Sequence, residues 1–466
     1  MDGELIIIGG GLAGCEAAWQ AAERGIHVTL YEMRPKRMTG AHTGGLLGEL
    51  VCSNSLGSLL KDRPTGLLQE ELRRMNSLLV RCAEQTAVPA GRALAVDRIA
   101  FSTLIGQYIN QHKNIEVIRK EVTAIPSKPV ILATGPLTSP RLAGEIHAFI
   151  GEEYLYFFDA IAPIVSADSI DMQVAFRASR YDNNESGDYL NCPMNKDEYN
   201  AFVAALLHAE RISLKDYEKS IAEGVRGGFF PFFERCLPIE VLAQHSPDAL
   251  AFGPLRPIGL IDQRSGRRPY AVVQLRQDNL AVSLFSLVGF QTNLTYPEQV
   301  RLIHMIPGLG KAEIVRYGQM HRNTYILAPR ILRNTLQSIK RADVFFAGQL
   351  CGAEGYVGNI GTGLLAGWNA ANFIHGCPLV ELPHQTMLGS LVHYLTHADP
   401  FRFQPMKSNF GLLPPLEDEY QQNSGRRRRA AYYSERALSS LKEWLSLCDP
   451  GLDVDRASDR KSQDFL

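Results

Sequence analysis

The stretch "ELIIIGGGLAGCEAAWQAAERGIHVTLYE", residues 4–32, decides the fold. Leu5–Ile8 is a continuous apolar run, the pattern of a parallel strand covered on both faces. Gly9, Gly11 and Gly14 then supply G-x-G-x-x-G. Cys15 to Arg24 has helical composition and is closed by Gly25. His27–Tyr31 is a second strand, ending at the acid Glu32. Strand, glycine turn, helix, strand and acid in that order form a dinucleotide fingerprint in its proper context. The turn Gly9, Gly10, Gly11, Leu12, Ala13 and Gly14 lets the backbone reach a pyrophosphate at the helix N-terminus, and Glu32 can accept from ribose hydroxyls.

Two later segments extend this unit. "KPVILATGP", residues 128–136, is another buried strand ending at a Thr-Gly turn. "ADVFFAGQLCGAEGYVGNIGTGLLAGWNAANFI", residues 342–374, reads as strand, glycine-rich turn and helix. Together the three fit an FAD fold better than an NAD fold. The first unit holds the ADP half, and the late turn, with Gly348 and Gln349, lies against the ribityl chain and ring. The late helix N-terminus then faces the flavin and favours its reduced, anionic form.

The middle of the chain reads differently. "DYLNCPMNKDEYNAFVAALLHAE" (188–210) is a turn followed by an amphipathic helix. "PYAVVQLRQDNLAVSLFSLVGFQTNL" (269–294) is two strands joined by a polar Asp-Asn turn. The expected architecture is α/β: a Rossmann-like, glutathione-reductase-like FAD-binding domain with an inserted α+β domain. The boundaries read are 1–165 for the first part of the FAD domain, 166–329 for the insert, and 330–466 for the second part with a basic, helical C-terminal region.

Composition narrows the class. The 466 residues are 45% hydrophobic and 21% charged with a net charge of −1, so any nucleic acid must be held by a local basic patch. Three such groups stand out: Arg426 to Arg429 beside Tyr432 and Tyr433; Arg264, Arg267 and Arg268; and Arg330, Arg333, Lys340 and Arg341. There is no apolar run of about 18 residues for a membrane helix and no secretion signal, so a cytoplasmic location is expected. The eight cysteines show neither CxxC nor zinc spacing, so thiols are expected and no metal site.

Two thiols are candidates for chemistry. Cys52, in "GELVCSNSLGS" (48–58), precedes Ser53-Asn54-Ser55, which reads as a helix N-cap. A thiol there would gain thiolate character. Cys236, in "GGFFPFFERCLPIE" (227–240), lies in an apolar stretch that taken alone favours packing. Cys15 reads as packing, Cys351 as a filler close to the flavin, and Cys192 as ambiguous. Cys82, Cys377 and Cys448 have no chemical context.

From about residue 4 to about 445 the chain resembles the folate- and FAD-dependent tRNA (uracil-5-)-methyltransferases, the TrmFO family. The likeness is carried by "GGGLAGCEAAWQ", "ELVCSNSL", "ALAVDR", "YFFDAIAPIV", "DYLNCPMNKDEYNAF", "ERCLPIE", "FGPLRPIGL", "RPYAVVQLRQ", "MHRNTYI", "AGQLCGAEGYV" and "SNFGLLPP". The related wobble-uridine modifying GidA proteins share the fold but are longer and lack these segments. The resemblance implies transfer of a one-carbon unit from 5,10-methylenetetrahydrofolate to C5 of the tRNA T-loop uridine, with FAD reduced by NADPH or NADH. It places Tyr356 beside the flavin and makes Cys52 and Cys236 the two catalytic thiols. Uracil C5 becomes nucleophilic only after a thiolate adds to C6, and the C5 proton must then be removed. Cys236 is assigned the attack and Cys52 the base, with the reverse assignment open.

Three stretches depart from the family pattern: Arg235 before Cys236, "VGNIGTGLLAG" after Tyr356, and "HTGGLLGELVC" before Cys52. The same chemistry on 23S rRNA, a flavin thiol/disulfide oxidoreductase and a non-catalytic FAD-containing RNA chaperone are the alternatives. Oligomeric state is not legible.

Overall fold

The computed structural model describes residues 3–151, 155–180, 187–212, 225–226, 237–246, 248–262, 265–417 and 425–449. Of residues 155–160, 225–226, 320–322 and 426 it describes the backbone alone. The opening stretch forms strand Glu4–Ile8, helix Leu12–Glu23 and strand His27–Glu32. The two strands pair in parallel from Glu4↔His27 to Ile8↔Tyr31. They are central in a five-stranded parallel sheet whose order is Val344–Phe346, Val130–Leu132, Glu4–Ile8, His27–Glu32, Ile115–Arg119. Sequence-distant strands 130–132 and 344–346 thus sit side by side, as the FAD reading requires.

Two helices cover one face. Leu12–Glu23 packs along the late helix Tyr356–His375, and the approach is set by glycine. A Cβ at Gly363 would lie 2.3 Å from the Ala13 carbonyl oxygen, and one at Gly367 would lie 2.5 Å from that of Ala17. The run "VGNIGTGLLAG" therefore has a packing cause: small residues let the two backbones touch. Cys15 and Cys351, both fully buried, fill this core, where burial pushes their thiols up.

The second lobe has its own core. A six-stranded sheet runs in the order Phe176–Ala178, Tyr189–Met194, Ala271–Gln277, Leu284–Leu287, Ile164–Ser166, Ile314–Arg316. Helices Lys196–Leu207 and Tyr296–His304 bury Tyr199, Phe202, Leu302 and Ile303 with it. The expected strand pair across 269–294 is present and antiparallel. The start of 188–210 is not a turn, however, but a central strand. Asn191 and Pro193 suggest a turn locally. In the fold the Asn191 amide is satisfied by the Phe176 and Ala178 carbonyls and by Gln274, so a polar side chain is buried at little cost. Cys192 is buried beside it, its thiol pushed up to about 12. Strands Leu155–Ala160 and Met320–Tyr325, where the chain leaves and re-enters the first lobe, pair antiparallel. Among the described residues no helix is long and apolar enough to cross a membrane.

Candidate functional site

The fingerprint opens onto a cleft of about 990 Å3 empty volume. Its lining runs from Gly9, Gly11, Glu32 and Lys120 past Thr134–Thr138 to Gly348, Gln349, Tyr356 and Asn359. The glycines divide the work. Gly9 has φ +109°, and a Cβ there would meet the Ala133 carbonyl oxygen at 2.4 Å. A Cβ at Gly14 would lie 1.8 Å from the Gly9 carbonyl oxygen. Around Gly11 no atom lies within 4 Å of such a carbon, so that position faces open cleft.

Glu32 closes this end. Its carboxylate accepts from Gly10 N at 2.9 Å and from Arg34 N and Nε, each at 2.9 Å. Burial would raise its pKa, but Arg34 outweighs burial and holds it below the ordinary carboxylate range. Arg34 also donates to Glu49 Oε2 at 2.7 Å and is nearly sealed from solvent. Spacing alone assigns Glu32 a single role toward ribose; the fold adds a second, as anchor of Arg34 and of the glycine turn.

The residues fit a dinucleotide flavin. The cleft starts at a helix N-terminus with backbone N–H groups, and among the described residues that line it one buried side-chain polar atom has no partner. That atom is the buried Oδ1 of Asn359, in the first turn of the late helix and on the cleft lining.

Cys52 lies just beyond the far end. Its backbone N donates to the Tyr356 hydroxyl at 2.8 Å, and Tyr356 and Val51 line the cleft. The next element is not a helix. Ser55–Ser58 is a strand paired with Ala93–Val96, so the helix-N-cap reading is corrected. Asn54 is fully buried and gives its amide to the Val96 and Gln277 carbonyls, at 3.0 and 2.9 Å, instead of capping a helix.

What replaces a helix dipole is a ring of guanidiniums. Arg98 donates to the carbonyls of Leu50 (2.8 Å) and Cys52 (3.0 Å) and pairs with Asp278 at 2.9 Å. Arg316 donates to the Val51 carbonyl at 2.8 Å. Arg276 donates to Asn54 Oδ1 at 2.7 Å. Burial would lower Arg98, but Asp278 outweighs it; Arg276 and Arg316 are lowered by burial, with Cys52 acting in the opposite sense on all three. Three guanidiniums and one carboxylate, Asp278, thus surround the Cys52 backbone. Sequence reading does not single out Arg98, Arg276, Asp278 or Arg316. Arg98 closes "ALAVDR" and Arg276 stands in "RPYAVVQLRQ", but nothing in a linear sequence says they converge.

Cys236, Arg235 and Arg264 lie outside the described residues. Arg426 to Arg429 form the first turn of helix Arg426–Cys448, with Arg427 Nε 3.5 Å from Asp62. Arg267 and Arg268 are exposed. Arg341 is structural in character, paired with Asp343 at 2.6 Å and donating to the Pro126 carbonyl. Among the described residues no group of three His, Cys, Asp or Glu could hold a metal ion.

Parallel sheet, glycine turn and late helix define a Rossmann-like, FAD-binding α/β protein. In agreement, the family described as Glucose inhibited division protein A matches residues 4–378. The solved Aquifex aeolicus GidA superimposes with a TM-score of 0.67 at 16% identity, over 99% of this chain and 76% of that one. At that identity the likeness speaks for the fold. Within this class the sequence relatives are specific. A protein of Anoxybacillus flavithermus named methylenetetrahydrofolate–tRNA-(uracil-5-)-methyltransferase TrmFO is 50% identical over 442 residues, covering 95% of this chain and 99% of the relative. One of the same name from Synechococcus sp. (strain JA-3-3Ab) is 53% identical over 435 residues, covering 93% and 94%. The chain belongs to the TrmFO family.

Proposed function

We propose that this chain methylates C5 of the T-loop uridine of tRNA, taking the carbon from 5,10-methylenetetrahydrofolate and electrons from NADPH or NADH through FAD. The observation that carries the proposal is the Tyr356 junction: one side chain lines the cofactor cleft and accepts from the backbone of Cys52. The reading is supported by the Cys52 backbone being tied both to this cleft residue and to Arg98, a setting that carbon transfer to a pyrimidine can use.

Gly9, Gly10, Gly11, Leu12, Ala13, Gly14 and Glu32 would hold the ADP half of FAD, and Gly348, Gln349, Tyr356 and Asn359 the ring half. When bound, FAD supplies the two-electron chemistry that delivers the one-carbon unit at the methyl level. The Cys236 thiolate adds to uracil C6, and the electron pair displaced from the C5–C6 bond makes C5 the nucleophile. After C5 has gained its carbon, Cys52 takes the C5 proton, and the electron pair released expels Cys236 from C6. Burial keeps the Tyr356 hydroxyl protonated, so it holds the Cys52 backbone and does not compete as base. Arg426–Arg429, Arg264, Arg267 and Arg268 would contact RNA phosphates, and residues 166–329 would form the substrate lobe.

The test is a T-loop RNA carrying 5-fluorouridine. Fluorine does not leave as a cation, so the adduct stalls on the attacking thiol. Peptide mapping is expected to find it on Cys236; attachment to Cys52 reverses the roles, and trapping on neither, with methylation intact in both alanine variants, removes the thiol mechanism. Mass spectrometry of tRNA and rRNA from a deletion strain separates the tRNA and 23S rRNA readings.

A further inference from the structure

A rim of exposed apolar side chains flanks the Cys52 ring and takes no part in the chemistry above. Helix Arg98–Gln111 starts beside the thiol, and its second residue, Ile99, is 66% exposed. Against it lies the turn between strands Ala271–Gln277 and Leu284–Leu287, where Leu280 is 53% and Val282 39% exposed. The two segments are joined directly: Leu280 N donates to Asp97 Oδ2 at 2.8 Å, while Asp97 caps the helix through Ala100 N. Asp278, at the base of the turn, holds Arg98, whose other nitrogens reach the Leu50 and Cys52 carbonyls.

The turn is rigid and strained. Val282 has φ +55°, a left-handed conformation that a β-branched residue adopts only at a cost. It is locked there by Asn279, whose side chain accepts from Ser283 N and Leu284 N and donates to Ser283 Oγ. A glycine or asparagine would make this turn without strain. The valine is nevertheless 39% exposed.

The occupant follows from the reaction. A thiolate attacks C6 perpendicular to the pyrimidine ring, and a stacked base has both faces covered. The target uridine must leave its stack, and the bases on either side then lose a neighbour. We infer that Ile99, Leu280 and Val282 form an apolar wedge that replaces the everted uridine against its flanking bases in a structured RNA. Rigid aliphatic side chains inserted at a base step are a known physical solution to that problem. Arg98, which immediately precedes Ile99, holds the Cys52 carbonyl and so ties the wedge to the thiol that must reach the everted base. The inference rests on the proposed RNA substrate.

The experiment uses the FAD-loaded full chain and the variants Ile99→Ser/Leu280→Ser and Val282→Gly, all at exposed positions. On folded tRNA, kcat/KM is expected to fall about 10- to 100-fold, the scale of unstacking a base. On a single-stranded oligonucleotide containing the same uridine, and in flavin reduction by NADPH, the variants are expected to match the parent. A 2-aminopurine beside the target uridine should brighten on binding the parent protein and much less with the double variant. An unchanged kcat/KM on tRNA, or an equal loss on both RNAs, overturns the wedge. A changed sedimentation coefficient would overturn it too, assigning the rim to contact between copies of the chain. Failure of the parent protein to methylate either RNA would bring down the functional proposal as well, so the two failures are distinguishable.

Discussion

The two ends of the cleft are built on opposite principles. The dinucleotide end comes from one continuous stretch, residues 4–32, in which each glycine has a local steric reason. The thiol end is assembled from residues 50–54, 98, 276–278, 316 and 356, drawn from both lobes. A site made by local backbone geometry can be read directly from spacing. A site made by convergence of side chains becomes visible only once two sheets have packed.

The sharpest way to break this contrast is at Cys52. Cys52→Ala is expected to reduce methylation by at least about 10²- to 10⁴-fold, the usual contribution of a general base. FAD occupancy should stay at the parent level, because no fingerprint contact involves the thiol. Loss of bound flavin in this variant would mean that the two ends are one cooperative unit.

The fingerprint itself offers the next contrast. Gly11→Val points into open cleft, so it should empty the cofactor site while leaving the thermal midpoint of the flavin-free protein nearly unchanged. Gly14→Val drives a carbon into the Gly9 carbonyl, so it should lower that midpoint even without flavin. Absorbance at the flavin maximum and calorimetry on stripped protein separate the two. Full FAD occupancy in Gly11→Val would contradict the assignment of the cleft.

These outcomes bear on what the sequence makes legible. The parallel sheet and its late strand are readable because buried parallel strands are short, continuous apolar runs flanked by glycine. The strand Tyr189–Met194 is not, because Asn191 and Pro193 are turn formers whose polar groups find partners only on neighbouring strands. Ser53-Asn54-Ser55 misleads for the same reason: Asn54 satisfies the Gln277 carbonyl 223 residues away in place of the next turn of a helix. Cys52 is identifiable by motif, yet the neighbour expected for it is a helix end, and the neighbours found are arginines bonded to the backbone around it.

The basic run extends the comparison to the surface. Four arginines in the first turn of a helix sit at the wrong end of its dipole, which disfavours cations. If they serve to hold RNA phosphates, replacing Arg426–Arg429 by Gln should flatten the salt dependence of tRNA binding by about one log–log unit for each phosphate no longer neutralised. At physiological salt that is about a 10- to 100-fold loss of affinity, with the flavin spectrum unchanged. An unaltered slope would make the run a solvated face.

The smallest effect expected is at the seam between the two ends. His42 lines the cleft within the departing run "HTGGLLGELVC", and its Nδ1 lies 2.6 Å from Thr39 Oγ1. Burial, assisted by the charge of Arg34 and by Arg316 of the thiol ring, pushes its pKa down to about 4, against the opposing pull of Glu49 and Glu32. Above pH 6.5 the imidazole is neutral in folded and unfolded chains and adds no pH dependence. Between 6.5 and 4 the unfolded chain takes up the proton and the folded chain does not, so stability falls as pH falls and levels off below 4. Full linkage would amount to about 3 kcal/mol, but His42 is only partly shielded from solvent, so a loss of about 1 kcal/mol is expected. His42→Gln cannot titrate and should flatten this part of the stability profile, measured by urea unfolding at about pH 4.5 and about pH 7. The same variant should leave the profile above pH 6.5 unaltered. An unchanged slope below 6.5 would show that burial does not hold the His42 imidazole neutral, and the seam between the two ends would then be open to solvent.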